Sequence, residues 1–242
     1  MDEVQEIHFL NLMFVFIPVM VSIAILFKWS LDSKTALYAI GRMLIQLLLI
    51  GYFLAYIFES DSAGIVMTIL MIMLLSSSWI ALGTIKSQRL ILYNKALLSL
   101  VIGGGLTLLI VTQAVLTLRP WYWPQYMVPL AGMIFANSMS SVSLAAERLN
   151  AELERDVPYN KARQIALQTS LIPIINALFA AGLVSIPGMM TGQILSGVSP
   201  HIASRYQIMV MCMVFGSAGI TSACFLILAK SSFETKKNDQ AV

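Results

Sequence analysis

Apolar residues run along this chain in long blocks rather than in amphipathic stripes. The blocks fall at 9–27, 36–58, 63–82, 96–118, 127–146, 171–186 and 206–229, with charged residues gathered between them. Since ~20 residues of α-helix cross a bilayer's hydrocarbon core, the pattern predicts about seven transmembrane helices. A transmembrane β-barrel would show ~10-residue alternating segments, and none is visible. The expected fold class is therefore all-α, a polytopic membrane protein. Residues 1–230 are expected to form a single transmembrane domain. The polar tail at 231–242 lacks the apolar residues to bury and is expected to be disordered.

The sixth block departs from the others. It carries Pro173, Asn176 and Gly182, then meets Pro187 and Gly188 after about sixteen residues, which is short for a crossing. A proline inside a helix frees a carbonyl, and irregular backbone at membrane depth survives where protein or a water-filled cavity satisfies it. A broken or re-entrant segment over 171–197 is one reading, and several transporters build their sites that way. A short helix followed by a polar outer loop is the other. The residues alone leave both open.

Composition agrees with the block pattern. Hydrophobic residues make up 58% and charged residues 11% of the chain, and the mean hydropathy is +0.82, which excludes an ordinary soluble domain. Asp2, Glu3 and Glu6 precede the first block where a secretory signal would be basic, so that block reads as a retained helix. Basic residues collect in alternate connections, at Lys28 and Lys34, across 86–95, across 148–163 and across 230–237. By the positive-inside rule the N-terminus lies outside and the C-terminus in the cytoplasm. "RPWYWPQY" at 119–126 then supplies amphipathic rings at the outer interface. Cys212 and Cys224 are twelve residues apart in one block. On a helix that spacing is ~18 Å, too far for a disulfide.

Much chemistry is missing from the sequence. There is no phosphate-binding GxxxxGK[ST] loop, and the glycines at 103–105 sit inside an apolar block, where close helix packing explains them. HExxH, CxxC, GxSxG and clustered histidines do not occur. No catalytic residue, metal ligand or nucleic-acid partner is expected. Buried acids of the kind used by proton-coupled carriers are also lacking. The chain is not expected to be an enzyme, and any ATP and magnesium belong on a partner subunit.

Several polar residues interrupt the blocks. Arg42, with Gln46 one turn on, lies in the second block; Arg42 either snorkels to the interface or glues helices or lines a path. In the fifth, Gly132, Ala136 and Ser140 recur every fourth residue as a small-residue stripe for helix contact. Asn137, Ser138, Ser140, Ser141 and Ser143 exceed what packing requires, so structural hydrogen bonding and path lining both stand. Fifteen methionines are better explained as flexible interface filler than as thioether ligands, with Met189 and Met190 beside the helix break as the exceptions to test. The segment 147–170 alternates acids and bases, with Arg148 and Glu152 spaced i,i+4, so a helix extends past the membrane until Pro158.

Three stretches, "GMIFANSMSSVSLAAERL", "LIPIINALFAAGLVSIPGMMTGQILSG" and "SPHIASRYQIMVM", closely resemble the FetB/YbbM family of ABC-transporter permeases, and the resemblance extends over nearly the whole chain. It implies a plasma-membrane subunit, working as a homodimer with a separate cytoplasmic ATP-binding subunit, that exports a metal ion such as iron. Two positions depart from the family pattern: Ala136 replaces the usual Gly before Asn137, and "RDVPYNK" stands where relatives carry a longer ATPase-docking loop. The candidate path comprises Asn137, Ser138, Ser141, Asn176, Met189, Met190, Thr191 and Gln193. The candidate docking surface comprises Glu147, Arg148, Glu152, Glu154 and Arg155. An ATP-independent channel or facilitator, or a non-transporting membrane scaffold, are the alternative readings.

Overall fold

The computed structural model describes residues 8–59 and 62–233. The chain divides into two compact units, Met1–Ser60 and Asp61–Val242.

The first unit is a helical hairpin of α1 (Leu10–Lys28) and α2 (Ser33–Phe58). Its turn uses Ser30 at φ 57°, while the Leu31 N–H reaches back to the Leu26 carbonyl at 2.9 Å. Asp32 starts α2 by accepting the Thr35 N–H at 3.0 Å and the Thr35 hydroxyl at 2.6 Å, which satisfies a donor the helix itself leaves open. None of the most apolar window of α1 is buried. In lipid that exposure costs nothing, because hydrocarbon is as apolar as the side chains.

The second unit holds α3 (Ala63–Ala81), α4 (Arg89–Val115), α5 (Pro124–Glu154), α6 (Tyr159–Ala180), α7 (Gly188–Leu195) and α8 (Pro200–Leu228). Helix α5 is its spine and packs against α3, α6 and α8. Ile134, Val142 and Leu149 of α5 are fully buried, as are Leu92 and Leu100 of α4 and Phe225 of α8. Helix α4 widens into π-helical turns at Val101–Gly105 and Ile110–Val115. At the first of these Gly103 lies against α8 so closely that a Cβ would stand 2.3 Å from Thr221 Oγ1 and 2.6 Å from the Thr221 nitrogen. Gly103 and Gly104 are thus packing positions, as expected, with no side chain fitting at 103, whereas a Cβ at Gly105 would meet nothing within 4 Å.

Six helices among the described residues are long and apolar enough to cross a membrane, namely α1 to α5 and α8. The predicted sixth block is the exception. Its helix begins at Tyr159, well before 171, and stops at Ala180. The polar first half, "YNKARQIALQ", keeps its hydropathy low although 22 residues rise ~33 Å.

Pro173 does not break this helix, which continues through it. The interruption comes later. The N–H groups of Leu183, Val184 and Ser185 converge on the Ala180 carbonyl at 3.2, 2.9 and 3.0 Å, and Gly182 takes φ +82°. Pro187 then leads into α7, an eight-residue helix. Gly197 turns the chain again at φ +88°, and Pro200 opens α8 at a position where its missing N–H is no loss. Two left-handed glycines therefore bracket α7, and L side chains rarely adopt that conformation. The chain is interrupted within 171–197 at the two glycine turns and not at Pro173.

The small-residue stripe is corrected in register. Ala136 and Ser140 are exposed, and a Cβ on Gly132 would meet Met73 at an ordinary 3.4 Å. Tight contact runs instead along Ser138, Ser141, Val142 and Ala145, all nearly or fully buried. A spacing of four marks one helical face without saying which face meets a neighbour. At the C-terminal end, residues 231–233 are helical, and Lys95 Nζ donates to Ser231 and Ser232 at 2.8 and 2.5 Å; residues 234–242 of the expected tail lie outside the described residues.

Candidate permeation site

Helices α5, α6 and α8 border a half-open cavity of about 130 Å³ lined by Asn137, Ser140, Ser141, Leu144, Ser170, Pro173, Ile174, Ala177 and Ala218. Behind the lining residues Ser141 and Ser170 runs a chain of hydroxyls. Ser222 Oγ donates to Ser141 Oγ at 2.8 Å, and Ser141 Oγ donates onward to the Ser170 carbonyl at 3.2 Å. Ser170 closes the run by donating to the Leu167 carbonyl at 2.8 Å. The chain links α8, α5 and α6 through groups that hydrocarbon could not solvate.

Proline explains why α6 is polar here. Pro173 has no N–H to give to the Thr169 carbonyl four residues back, so the helix has a weakened backbone ladder at the cavity's rim. One turn before Ser141, on the same face of α5, stands Asn137. Its Nδ2 donates to the Met133 carbonyl at 2.8 Å on its own helix, which leaves the carboxamide oxygen for a guest. Ser140 likewise donates to the Ala136 carbonyl at 3.0 Å, and its oxygen lone pairs remain acceptors. The cavity thus presents neutral oxygens beside an apolar wall, with room for a few waters or a partly hydrated cation.

The sequence-predicted path residues separate into groups. Asn137 and Ser141 line the cavity. Ser138 is fully buried beside it, accepting from Thr221 Oγ1 at 3.4 Å in the α5–α8 seam. Asn176 is exposed and absent from the lining, because at 100° per residue it lies ~110° round the helix from the face shared by Ser170, Pro173, Ile174 and Ala177. Met189, Met190, Thr191 and Gln193 lie on α7, which packs against α8, and none lines the cavity. Thr191 donates back to the Ile186 and Pro187 carbonyls at 3.5 and 3.3 Å. Gln193 Oε1 is buried without a hydrogen-bond partner, and so is Oε1 of Gln207 on α8. Ser170 and Gln207 are not singled out from sequence, and Ser140 is weighed there only with the other polar residues of the fifth block. The signals for the first two are a hydroxyl three residues before a mid-helix proline, at Ser170, and an amide in the last apolar block, at Gln207.

Comparison with known proteins gives this arrangement a family. The model of the uncharacterised protein family UPF0014 matches residues 8–158 and 154–233. The chain belongs to UPF0014. It is 36% identical over 206 residues to a UPF0014 membrane protein of Synechocystis, covering 78% of this chain and 80% of the relative. It is 31% identical to the probable iron export permease protein FetB of Escherichia coli, covering 88% and 87%. It is 28% identical to the protein ALUMINUM SENSITIVE 3 of Arabidopsis thaliana, covering 90% and 85%. No solved structure matches. The expected family resemblance is thereby confirmed, and this UPF0014 member is an integral plasma-membrane protein.

The two UPF0014 matches meet at the turn between α5 and α6, where the docking candidates stand. Glu152 is 5% exposed and engaged by Arg148 Nη2 at 2.5 Å and by Arg155 Nη1 at 3.8 Å. It holds the end of α5 together and offers no surface. Glu147, Glu154 and Arg155 are exposed, with Glu154 accepting from Asn150 Nδ2 at 2.7 Å. Arg42 and Gln46 are exposed on α2 of the first unit. Among the described residues no group of three His, Cys, Asp or Glu side chains comes together that could hold a metal ion.

Proposed function

We propose that the chain is the membrane-spanning permease subunit of an ATP-driven ABC transporter that exports a metal cation such as iron, and that the α5–α6–α8 cavity is a station on its path. A separate subunit binds ATP and magnesium, and two copies of the permease form the pathway. The observation that carries this reading is the cavity, where neutral oxygens of Asn137, Ser140 and Ser141 face a partly apolar space. The name of the Escherichia coli relative, a probable iron export permease, supports the cargo class.

Neutral oxygen ligands fit a cargo that must be released. They suit hard cations and, without charge, hold them weakly. A hydrated or partly hydrated ion would exchange some waters for hydroxyl and amide oxygens and leave without the penalty of breaking an ion pair. The glycine turns around α7 would allow that helix to reorient while α5 and α8 stay packed. The exposed Glu147, Glu154 and Arg155 at the end of α5 would meet the ATP-binding subunit.

The test is transport in liposomes holding the chain with its ATP-binding partner. Ferrous ion flux should require ATP and fall at least tenfold for Asn137→Leu, which replaces the amide with a similar volume of hydrocarbon. Flux at full rate without ATP would replace the ATP-driven reading with an ATP-independent facilitator. Full flux in the Asn137 variant would remove the cavity from the path.

A further inference from the structure

Outside the cavity, α2 carries a charge that makes no ion pair among the described residues. Arg42 is exposed within an apolar 26-residue helix. Lys34 and Tyr38 precede it at intervals of four, so the three side chains share one helical face. Tyr38 is 70% exposed and Lys34 is exposed as well. Neither Lys34 nor Arg42 makes an ion pair among the described residues. The neighbouring acid, Asp32, has its carboxylate turned to the start of α2, where Thr35 donates to both oxygens.

An unpaired guanidinium in a spanning helix is costly, and such residues find a partner or a route to the interface. Side chains on a helix lean toward its N-terminus, so Arg42 leans toward Tyr38 and the Lys34 end. Lys34 and Arg42 are separated by ~12 Å along the axis, with a phenol hydroxyl between them. Gly41, 60° round the helix from Tyr38, adds no side chain, and a Cβ there would meet nothing within 4 Å. The result is a cationic and hydrogen-bonding strip running from the helix start into the apolar region, with space beside it for an acyl chain.

We propose that Lys34, Tyr38 and Arg42 form a binding site for the phosphate headgroup of an anionic phospholipid. The phosphate would sit beside Tyr38, taking charge-assisted hydrogen bonds from Arg42 and Lys34 and a neutral one from the phenol. Its acyl chain would run along α2 past Gly41. This matches an anionic lipid in charge and in shape: the cations lie where headgroups sit, and the surrounding helix face is hydrocarbon. A soluble anion would gain the charge contacts without the burial of an acyl chain.

The experiment is lipid titration of the purified full chain in neutral detergent, read by native mass spectrometry. The wild type should retain one phosphatidylglycerol about tenfold more strongly than phosphatidylcholine. Lys34→Gln combined with Arg42→Gln should lose that preference while phosphatidylcholine binding and the melting temperature in neutral detergent stay unchanged. Arg42→Lys should retain most of it, and Tyr38→Phe should weaken it by a few fold. Lys34→Gln alone, at the helix start, provides the same comparison if the double variant does not fold. Equal retention of the two lipids by the wild type, or undiminished phosphatidylglycerol binding by the variants, would overturn the proposal. Displacement of the lipid by inorganic phosphate would assign the site to a soluble anion instead. A loss of dimer mass in the variants without a change in lipid binding would assign this face to a second copy of the chain.

Discussion

Helix α5 carries two sets of polar side chains a residue or two apart, and their surroundings make them different in kind. Toward α8, Ser138 meets Thr221 and Ser141, which also borders the cavity, meets Ser222, each buried with a hydroxyl partner. Toward the cavity, Asn137 and Ser140 bond their own helix's carbonyls and keep oxygen lone pairs unclaimed. The first set is satisfied by protein, and the second is left to be satisfied by something that enters. A polar residue in a membrane helix is therefore informative once its partner is known, and composition alone does not supply the partner.

The comparison can be broken from its strongest side first. Gly103→Val should abolish the α4–α8 contact, because even a Cβ would overlap Thr221 backbone. Such overpacking costs about 1–3 kcal/mol or more, and size-exclusion chromatography in detergent should show loss of monodisperse protein. Asn137→Leu should reduce cation flux at least tenfold while the melting temperature stays within a few degrees of wild type. Ser222→Ala should do the reverse, leaving flux near normal and destabilising by about 0.5–2 kcal/mol in detergent unfolding. Asn176→Ala should change neither, since an exposed side chain without partners contributes within about 0.5 kcal/mol. Equal transport defects in the Ser222 and Asn137 variants would erase the distinction between seam and cavity.

The helical blocks are legible in the sequence because a spanning helix must be apolar along its whole length, whatever its neighbours. The start of α6 is not, because 159–170 is polar, and hydropathy does not distinguish a helix leaving the membrane from a loop. The break near α7 is readable from its glycines and prolines, although Pro173 draws attention to the wrong place. A proline in a helix is tolerated in membrane proteins, and α6 runs through Pro173 to Ala180. The cavity itself is half legible. Asn137 and Ser141 stand out as polar residues in an apolar run, but the exposure of Asn176 and the burial of Glu152 depend on helix rotation and on partners distant in sequence. The i,i+4 pair Arg148 and Glu152 is visible from spacing, whereas its burial is not.

The central claim is that Asn137 and Ser140 face a water-accessible path and Ser138 does not. Single cysteines at these positions, placed in a chain whose Cys212 and Cys224 have been replaced by serine, test it with a small charged thiol reagent that does not cross lipid. Ser140→Cys and Asn137→Cys should be modified rapidly in intact liposomes and slowed by ferrous ion, while Ser138→Cys stays unmodified until the protein is unfolded. Modification of all three at one rate, or protection of Ser140→Cys and Asn137→Cys in the absence of cargo, would contradict the account.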